Sequence, residues 1–159
     1  MTKDRYHIRA MVSNDAEAVV RLSQLFEPVS TTLWQGIDAE DVLTWLKERI
    51  IRPHWAGFVA EIEDEIVGFA FCKDMKEGAR GFVFPHADET VYLLYLAVDE
   101  AFRGQGIARA LLNACEDLAR EWGRTGIFLD IADDNPALRL YERFGFERLG
   151  AQVFMRKEI

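Results

Sequence analysis

The chain lacks the features that would place it in a membrane or outside the cell. No apolar run reaches the roughly 20 residues that a membrane-spanning helix needs, and residues 1–7 contain no signal-peptide apolar region. Its two cysteines, Cys72 and Cys115, form neither a CxxC motif nor a metal-binding spacing. We therefore expect a cytoplasmic protein with no membrane partner and no metal, whose cysteines are buried and reduced.

Positive charge is also scarce. The chain has 19 lysines and arginines against 27 aspartates and glutamates, which gives a formal net charge of −8. General nucleic-acid binding needs a basic face, so the composition argues against a nucleic-acid partner. The negative charge mildly favours cationic small molecules as ligands.

Repeats, low-complexity tracts and linkers are absent as well, so we expect residues 1–159 to form a single domain. Alternating or continuous apolar runs predict strands, and apolar residues three and four apart predict helices. Asn14 and Asp38 are the predicted N-caps of the first two helices. The predicted order is β-α-α-β-β-β-α-β-α-β-β, with elements near 6–11, 14–26, 38–50, 55–61, 65–73, 91–98, 107–122, 127–131, 136–144, 146–149 and 152–155.

The most informative segment joins the apolar strand at residues 91–98 to the helix that begins at Ile107. The connecting turn contains Gly104 and Gly106. A glycine-bearing turn at a helix N-terminus presents several backbone N–H groups to one point, where a phosphate can bind. The segment therefore predicts a phosphate-bearing ligand.

A dinucleotide-binding fingerprint is one explanation of this turn. Gly104 and Gly106 supply its first two glycines, and Asp130 lies near the expected acidic position. Arg109, however, stands where a third small residue permits close packing of helix on strand. The turn also comes late in the chain, so a nicotinamide or flavin cofactor is disfavoured.

A second informative block occupies residues 135–146. Asn135 suits a helix N-cap, Pro136 the first helical position and Gly145 the left-handed C-terminal position. Together the turn and this block resemble the GNAT superfamily of N-acetyltransferases. The superfamily's phosphate-loop pattern is matched by Arg103, Gly106 and Ala108, and its last block by Asn135, Ala137, Leu140, Tyr141, Gly145 and Phe146.

This resemblance implies an α/β fold, an α+β sandwich in which helices flank a mixed, mostly antiparallel central sheet. It implies acetyl-CoA as co-substrate and an acceptor amine, on a small molecule or a protein, that attacks the thioester directly. Dimers are frequent in the family, so a homodimer is compatible with it. The implied cofactor-binding residues are Leu96, Val98, Arg103, Gly104, Gln105, Gly106, Ile107, Ala108, Arg109, Asn135 and Tyr141.

The resemblance also implies catalytic roles. The N–H of Leu96 would stabilise the oxyanion as the amine attacks. Tyr141 would protonate the departing thiolate, because a phenol and a thiol have pKa values of roughly 10 and 8.5. The alternative for Tyr141 is simple packing on its helix, and helix capping alone explains Asn135.

The general base is harder to identify. An amine with a pKa of roughly 10.4 is protonated at neutral pH, so some group must accept its proton. Some family members have glutamate at the position of Tyr92. We predict that Glu89 is the base, with His86, Asp88 or a water relayed through Tyr92 as alternatives.

Acceptor specificity is expected to reside in the first two helices, their loop and the segment before the central strand. Aromatic side chains near carboxylates suit a cationic acceptor, although they could equally fill the core. The residues concerned are Phe26, Thr31, Trp34, Trp55, Phe82 and Phe84.

The alternative function is a non-catalytic acyl-CoA-binding or sensing module. Tyr141 favours the enzyme, because a binding module needs no acid beside the sulfur.

Overall fold

The computed structural model of the chain describes residues 6–24, 38–77, 86–150 and 157. Within these ranges no helix is both long and apolar enough to cross a bilayer. The strands are β1 (His7–Ala10), β2 (Trp55–Ile62), β3 (Glu65–Asp74), β4 (Thr90–Val98) and β5 (Gly126–Phe128); the α-helices are α1 (Ala16–Gln24), α2 (Ala39–Ile50), α3 (Ile107–Glu121) and α4 (Leu138–Phe144).

The described strands form one sheet in the order β1-β2-β3-β4-β5. The first four are antiparallel to their neighbours, whereas β5 lies parallel to β4. A parallel pair needs a long crossover, and α3 supplies it. The predicted mixed, mostly antiparallel sheet flanked by helices is confirmed, and the element order is as predicted through α4.

A two-residue turn joins β2 to β3. Glu63 and Asp64 have φ angles of 49° and 66°, which place both in the left-handed region that a type I′ hairpin requires. The turn sets the register of the hairpin.

Each face of the sheet packs against its own pair of helices. We call the face covered by α3 and α4 the α3 face, and the opposite one the α1–α2 face. The α3-face core includes Val67, Cys72, Leu93, Leu111, Leu112, Cys115 and Tyr141, and the α1–α2-face core includes Val19, Leu22, Leu46, Val59, Phe69 and Phe71. β4 contributes side chains to both faces, as its continuous apolar sequence predicts.

Both cysteines lie in the α3-face core, where they are fully buried and free. Their Sγ atoms are 3.4 Å apart, and Cys72 donates to Cys115. This hydrogen bond and burial together raise the pKa of Cys72. The prediction of buried, reduced cysteines is therefore confirmed.

The start of α1 differs from the prediction. Asn14 does not cap the helix; a single 3₁₀ turn, Ser13–Asp15, precedes α1. The carboxylate of Asp15 accepts the N–H of Val12 at 2.8 Å. Arg9 also donates to both oxygens of Asp15, so a residue of β1 orders the turn. Local spacing could not reveal that ion pair.

The end of the chain differs as well. Residues 146–149 form no strand in the structure, because residues 147–150 are exposed and have no buried face. Leu149 is 72% exposed, whereas Phe146 packs on the α3-face core. The strand predicted at 152–155 lies outside the described residues.

Candidate active site

The sheet opens between β4 and β5. Their last paired residues are Tyr92 and Phe128, whereas β4 continues to Val98. Residues 93–98 therefore border a gap where an edge-on ligand can pair with the backbone. We call this the β4–β5 gap.

A bulge in β4 begins just beyond the last pair with β5. Phe71 of β3 pairs with Tyr95 and the adjacent Cys72 pairs with Leu93, so Leu94 is an extra residue in the ladder. Bulges bend a strand and increase its twist. The bend occurs where β4 and β5 stop pairing, which accounts for the position of the gap.

Backbone groups of Leu96 and Val98 face the gap. The N–H of Asp99 donates to the carbonyl of Val67 on β3 at 2.8 Å. Because N–H and C=O groups alternate in direction along a strand, those of Val98 and Leu96 point away from β3. The structure therefore brings both predicted backbone contacts to the same side of β4.

The predicted phosphate turn lies at the end of the β4–β5 gap. Gly104 and Gly106 have φ angles of 78° and 84°, a conformation that favours glycine. Gly106 is the N-cap of α3, and the first turn of α3 contains no acidic residue. The first N–H groups of the helix, those of Ile107, Ala108 and Arg109, have no partner within the helix. They provide a positive site for an anion.

Side chains hold this turn against the sheet. Arg103 donates from Nε to the carbonyl of Val98 at 3.2 Å. The side chain of Ile107 is buried beneath the turn. Arg103, Gln105 and Arg109 are exposed and adjoin the glycines in the sequence.

Gly68 on β3 is a supporting residue that the sequence analysis missed. A Cβ at this position would lie 3.0 Å from the carbonyl oxygen of Ala97 and 3.3 Å from Cγ2 of Ile107. Glycine thus permits the start of α3 to pack closely on the sheet. The sequence offers one signal for this role: a glycine inside a strand often marks a place where another backbone segment approaches closely.

Tyr141 lies on α4 in the α3-face core and is 8% exposed. Its ring packs edge-on against Phe146 at a centroid distance of 5.5 Å. Burial, with a smaller contribution from Cys115, raises the pKa of Tyr141 to about 12. The phenol therefore keeps its proton at neutral pH. Among the described residues, the hydroxyl has no hydrogen-bond partner, which is unusual for a buried tyrosine.

Asn135 orders the chain just before α4. Its Oδ1 accepts the N–H of Ala137 at 2.9 Å, and its carbonyl accepts the N–H of Leu138 at 3.0 Å. This turn delays the helix, so α4 begins at Leu138 and Pro136 is not its first residue. Gly145 ends the helix with a φ of 105°, as predicted.

Glu89 lies at the other end of β4. Its carboxylate contacts Nδ1 of His86 at 3.2 Å and the hydroxyl of Thr125 at 3.5 Å. It precedes Leu96 by seven residues, which is roughly 20 Å along an extended strand. The structure does not bring Glu89, His86 or Asp88 to Leu96, and this placement argues against Glu89 as the base.

Tyr92 has a different partner. Its hydroxyl donates to Oδ1 of Asp130, and its ring lies 5.4 Å from that of Phe128. Burial and the hydrogen bond to Asp130 raise the pKa of Tyr92. Sequence spacing points to Asp130 only as the acidic position of a dinucleotide site. Its contact with Tyr92 depends on the parallel pairing of β4 with β5.

Trp55 is half-buried and packs against the α1–α2-face core. It lies 5.6 Å from Trp45 and 5.6 Å from Phe71 between ring centroids. The guanidinium of Arg49 lies over the rings of Trp45 and Trp55, 4.4 and 5.5 Å from their centroids. The other predicted specificity residues, Phe26, Thr31, Trp34, Phe82 and Phe84, lie outside the described residues.

Solved structures share this architecture. The aminoglycoside N-acetyltransferase AAC(6′)-Iy in complex with CoA has a TM-score of 0.79 and 22% identity, covering 100% of this chain and 99% of that chain. The ribosomal-protein-alanine N-acetyltransferase from Brucella melitensis has a TM-score of 0.70 and 19% identity. The match covers 96% of this chain and 99% of that chain. At these identities the similarity shows the fold.

Sequence relatives are more similar over shorter stretches. The acetyltransferase Atu2258 of Agrobacterium fabrum is 44% identical over 71 residues, 45% of this chain and 51% of the relative. The probable N-acetyltransferase camello of Xenopus laevis is 31% identical over 110 residues, 69% of this chain and 46% of the relative. The chain thus spans about half the length of these relatives. The acetyltransferase (GNAT) family model matches residues 19–146, and the chain therefore belongs to the GNAT acetyltransferase family.

Proposed function

We propose that the chain is an acetyl-CoA-dependent N-acetyltransferase that acts on a primary amine by direct attack on the thioester. The observation that carries this proposal is the continuity of the β4–β5 gap with the glycine turn at the start of α3. An elongated molecule with a pyrophosphate at one end and a thioester at the other fits both features. When bound, it supplies an activated acyl carbon.

The turn from Arg103 to Arg109 is proposed to hold the pyrophosphate. Backbone N–H groups would donate to the phosphate oxygens, and hydrogen bonds to a charged acceptor are roughly twice as strong as neutral ones. Left-handed backbone at Gly104 and Gly106 lets the chain follow the anion without strain. Val98 would pair through its backbone with the amide groups of the pantetheine arm.

Leu96 and Tyr141 are proposed to act on the reacting atoms. The N–H of Leu96 donates to the acyl oxygen and stabilises the negative charge that develops as the amine attacks. The hydroxyl of Tyr141 gives its proton to the departing sulfur.

The raised pKa of Tyr141 bears on this transfer. A pKa of about 12 against a free thiol near 8.5 would make the transfer uphill by about 5 kcal/mol. Burial also raises the pKa of a thiol, because desolvation disfavours every anion. Inside the same apolar site the pKa of the CoA thiol moves closer to that of Tyr141, and proton transfer from the phenol to the sulfur becomes feasible.

The test is amine-dependent release of the CoA thiol from acetyl-CoA. Two acceptors follow the names of similar proteins: the aminoglycoside sisomicin and a short peptide with an N-terminal alanine. Lysine amide is added as a simple primary amine. We expect release with at least one amine and formation of the corresponding N-acetyl product by mass spectrometry. Saturable acetyl-CoA binding with no release for any amine would favour the non-catalytic binding module.

A further inference from the structure

Three polar side chains lie on the α1–α2 face beside the β4–β5 gap. Tyr92 and Tyr95 come from β4, and Asp130 lies two residues past the end of β5. Tyr92 donates its hydroxyl proton to Oδ1 of Asp130, and the charge of Asp130 acts on both tyrosines. We call these three residues the Asp130 cluster.

The bulge at Leu94 creates this cluster. Side chains alternate between the faces of a strand, so residues three apart normally lie on opposite faces. One extra residue shifts the alternation and returns Tyr95 to the face of Tyr92. The packing agrees, because Leu93 and Leu96 lie on the α3 face whereas Tyr95 packs on the α1–α2 face. The same bend that borders the gap thus places two phenols beside its opening.

The cluster and Tyr141 lie on opposite faces of the sheet. Tyr141 belongs to the α3-face core, and the α1–α2 face carries the Asp130 cluster. An acceptor needs access to the acyl carbon from a direction other than that of the group that protonates sulfur. The α1–α2 face provides that direction.

The cluster also has a defined charge. Burial is the main cause that raises the pKa of Tyr95, as it does for Tyr92, so both phenols stay neutral at physiological pH. Asp130 is exposed to solvent and contributes one formal negative charge. The cluster therefore presents one negative charge with two neutral hydroxyl groups, a set that suits an ammonium group.

Resting on the proposed function, we propose that Asp130, oriented by Tyr92, binds the ammonium group of the acceptor and selects cationic primary amines. Asp130 is then a binding residue that touches the acceptor, and Tyr92 is a positioning residue that acts through it.

The proton and electron balance follows directly. The bound ammonium releases one proton to water, and its freed lone pair forms the C–N bond at the acyl carbon. The C–S bond breaks, and the sulfur takes its electron pair and a proton from Tyr141. The new amide nitrogen loses its second proton, which restores Tyr141 through solvent. The sum is ammonium plus thioester giving amide, thiol and one proton.

The test compares Asp130→Asn with Asp134→Asn, measuring both amine binding and turnover. The Asp130→Asn variant keeps the size of the side chain and an oxygen for Tyr92 but loses the charge. Asp134 is an exposed carboxylate four residues further on, so its variant is matched in net charge. The probes for calorimetric binding to the CoA-saturated protein are 1,4-diaminobutane and sisomicin, with 1,4-butanediol as the uncharged analogue.

We expect Asp130→Asn to weaken binding of the cationic probes about 10- to 100-fold, as for loss of a charge-assisted hydrogen bond. KM for the acceptor should rise in parallel, with acetyl-CoA affinity unchanged. Asp134→Asn should change the binding of the cationic probes and the KM for the acceptor by less than about twofold each. 1,4-Butanediol should not bind. Tyr92→Phe keeps the ring on Phe128 and should raise KM about 3- to 10-fold with kcat nearly constant.

Either readout can overturn the inference. It fails if Asp130→Asn and Asp134→Asn behave alike, or if neither cationic probe binds to the wild-type protein. Failure of the proposed function has a different signature, because the cationic probes would then bind through Asp130 without any acetyl transfer.

Discussion

Nε of Arg103 donates a 3.2 Å hydrogen bond to the carbonyl oxygen of Val98. This bond connects the first residue of the phosphate turn to the last residue of β4, so the turn and the β4–β5 gap are fixed relative to each other. An acyl-CoA molecule that occupies both features needs that fixed spacing.

Replacing Arg103 by glutamine should therefore weaken acetyl-CoA binding. The variant loses a positive charge beside the phosphates and the bond to Val98, and we expect a Kd about 5- to 20-fold higher. Because the residue is exposed, the free energy of unfolding should change by less than about 1 kcal/mol. Arg120→Gln removes an equal charge from the other end of α3 and is the control. Equal effects of both variants on Kd would contradict a local role for Arg103.

The glycine at the N-cap of α3 gives a second prediction. Gly106→Ala forces an alanine to a φ of 84° and should cost about 1 kcal/mol of stability. It should also raise the Kd for acetyl-CoA about tenfold or more, since the N–H groups around it are displaced. Gly123→Ala, at a φ of 68° beyond the end of α3, imposes similar strain far from the turn. The Tm should fall by a similar amount in Gly106→Ala and Gly123→Ala, whereas the Kd for acetyl-CoA measured by calorimetry should change only in Gly106→Ala.

Removing the Tyr141 hydroxyl tests the acid. Tyr141→Phe preserves the packing against Phe146, so we expect kcat to fall about 10²-fold while the Kd for acetyl-CoA changes little. Replacing the thioester by an acetyl ester of a nitrophenol supplies a leaving group that needs no proton. With that substrate the defect should shrink. An unchanged kcat with acetyl-CoA would remove Tyr141 from the mechanism.

The pair formed by Asp74 and Arg124 should make stability depend on pH. Arg124 donates to both oxygens of Asp74, at 2.7 and 3.1 Å. Burial raises the pKa of Asp74, but the hydrogen bonds from Arg124 and from the N–H of Lys76 outweigh it, and the net pKa lies below its usual range. The ionised carboxylate is thus favoured in the folded state. Its contribution is full above the unfolded pKa of roughly 3.9 and is lost as pH falls through the lower folded value.

Asp74→Asn should accordingly lower the free energy of unfolding by about 3 kcal/mol at pH 7, because it leaves Arg124 without its charged partner. The difference from wild type should narrow as pH falls below about 4 in denaturant titrations. Glu142→Gln disrupts an exposed pair with Arg148 and should cost less than about 1 kcal/mol. A difference for Asp74→Asn that stays constant from neutral to strongly acidic pH would contradict this origin.

Local signals predicted most of the fold. The apolar spacing of α3, the glycine turn before it and the left-handed Gly145 at the end of α4 are each encoded within a few residues. The α1 start was mispredicted because Arg9, on a neighbouring strand, orders Asp15. Periodicity carries no information about such ion pairs.

The site was predictable where the backbone supplies the chemistry and less so where side chains from distant segments meet. The glycine turn was visible in the sequence. The Asp130 cluster was not, because it depends on one extra residue at Leu94 and on the β4–β5 register. Glu89, although acidic and near β4, lies at the opposite end of the strand from Leu96. The sequence alone does not show which end of β4 borders the β4–β5 gap, so it could not place Glu89 relative to that gap.

Calorimetric titration of the wild-type protein with acetyl-CoA, with NADH as the control ligand, tests the central claim most directly. We predict saturable one-to-one binding of acetyl-CoA and no binding of NADH. The absence of saturable acetyl-CoA binding would contradict the assignment of the turn and the β4–β5 gap as an acyl-CoA site, as would preferential binding of NADH.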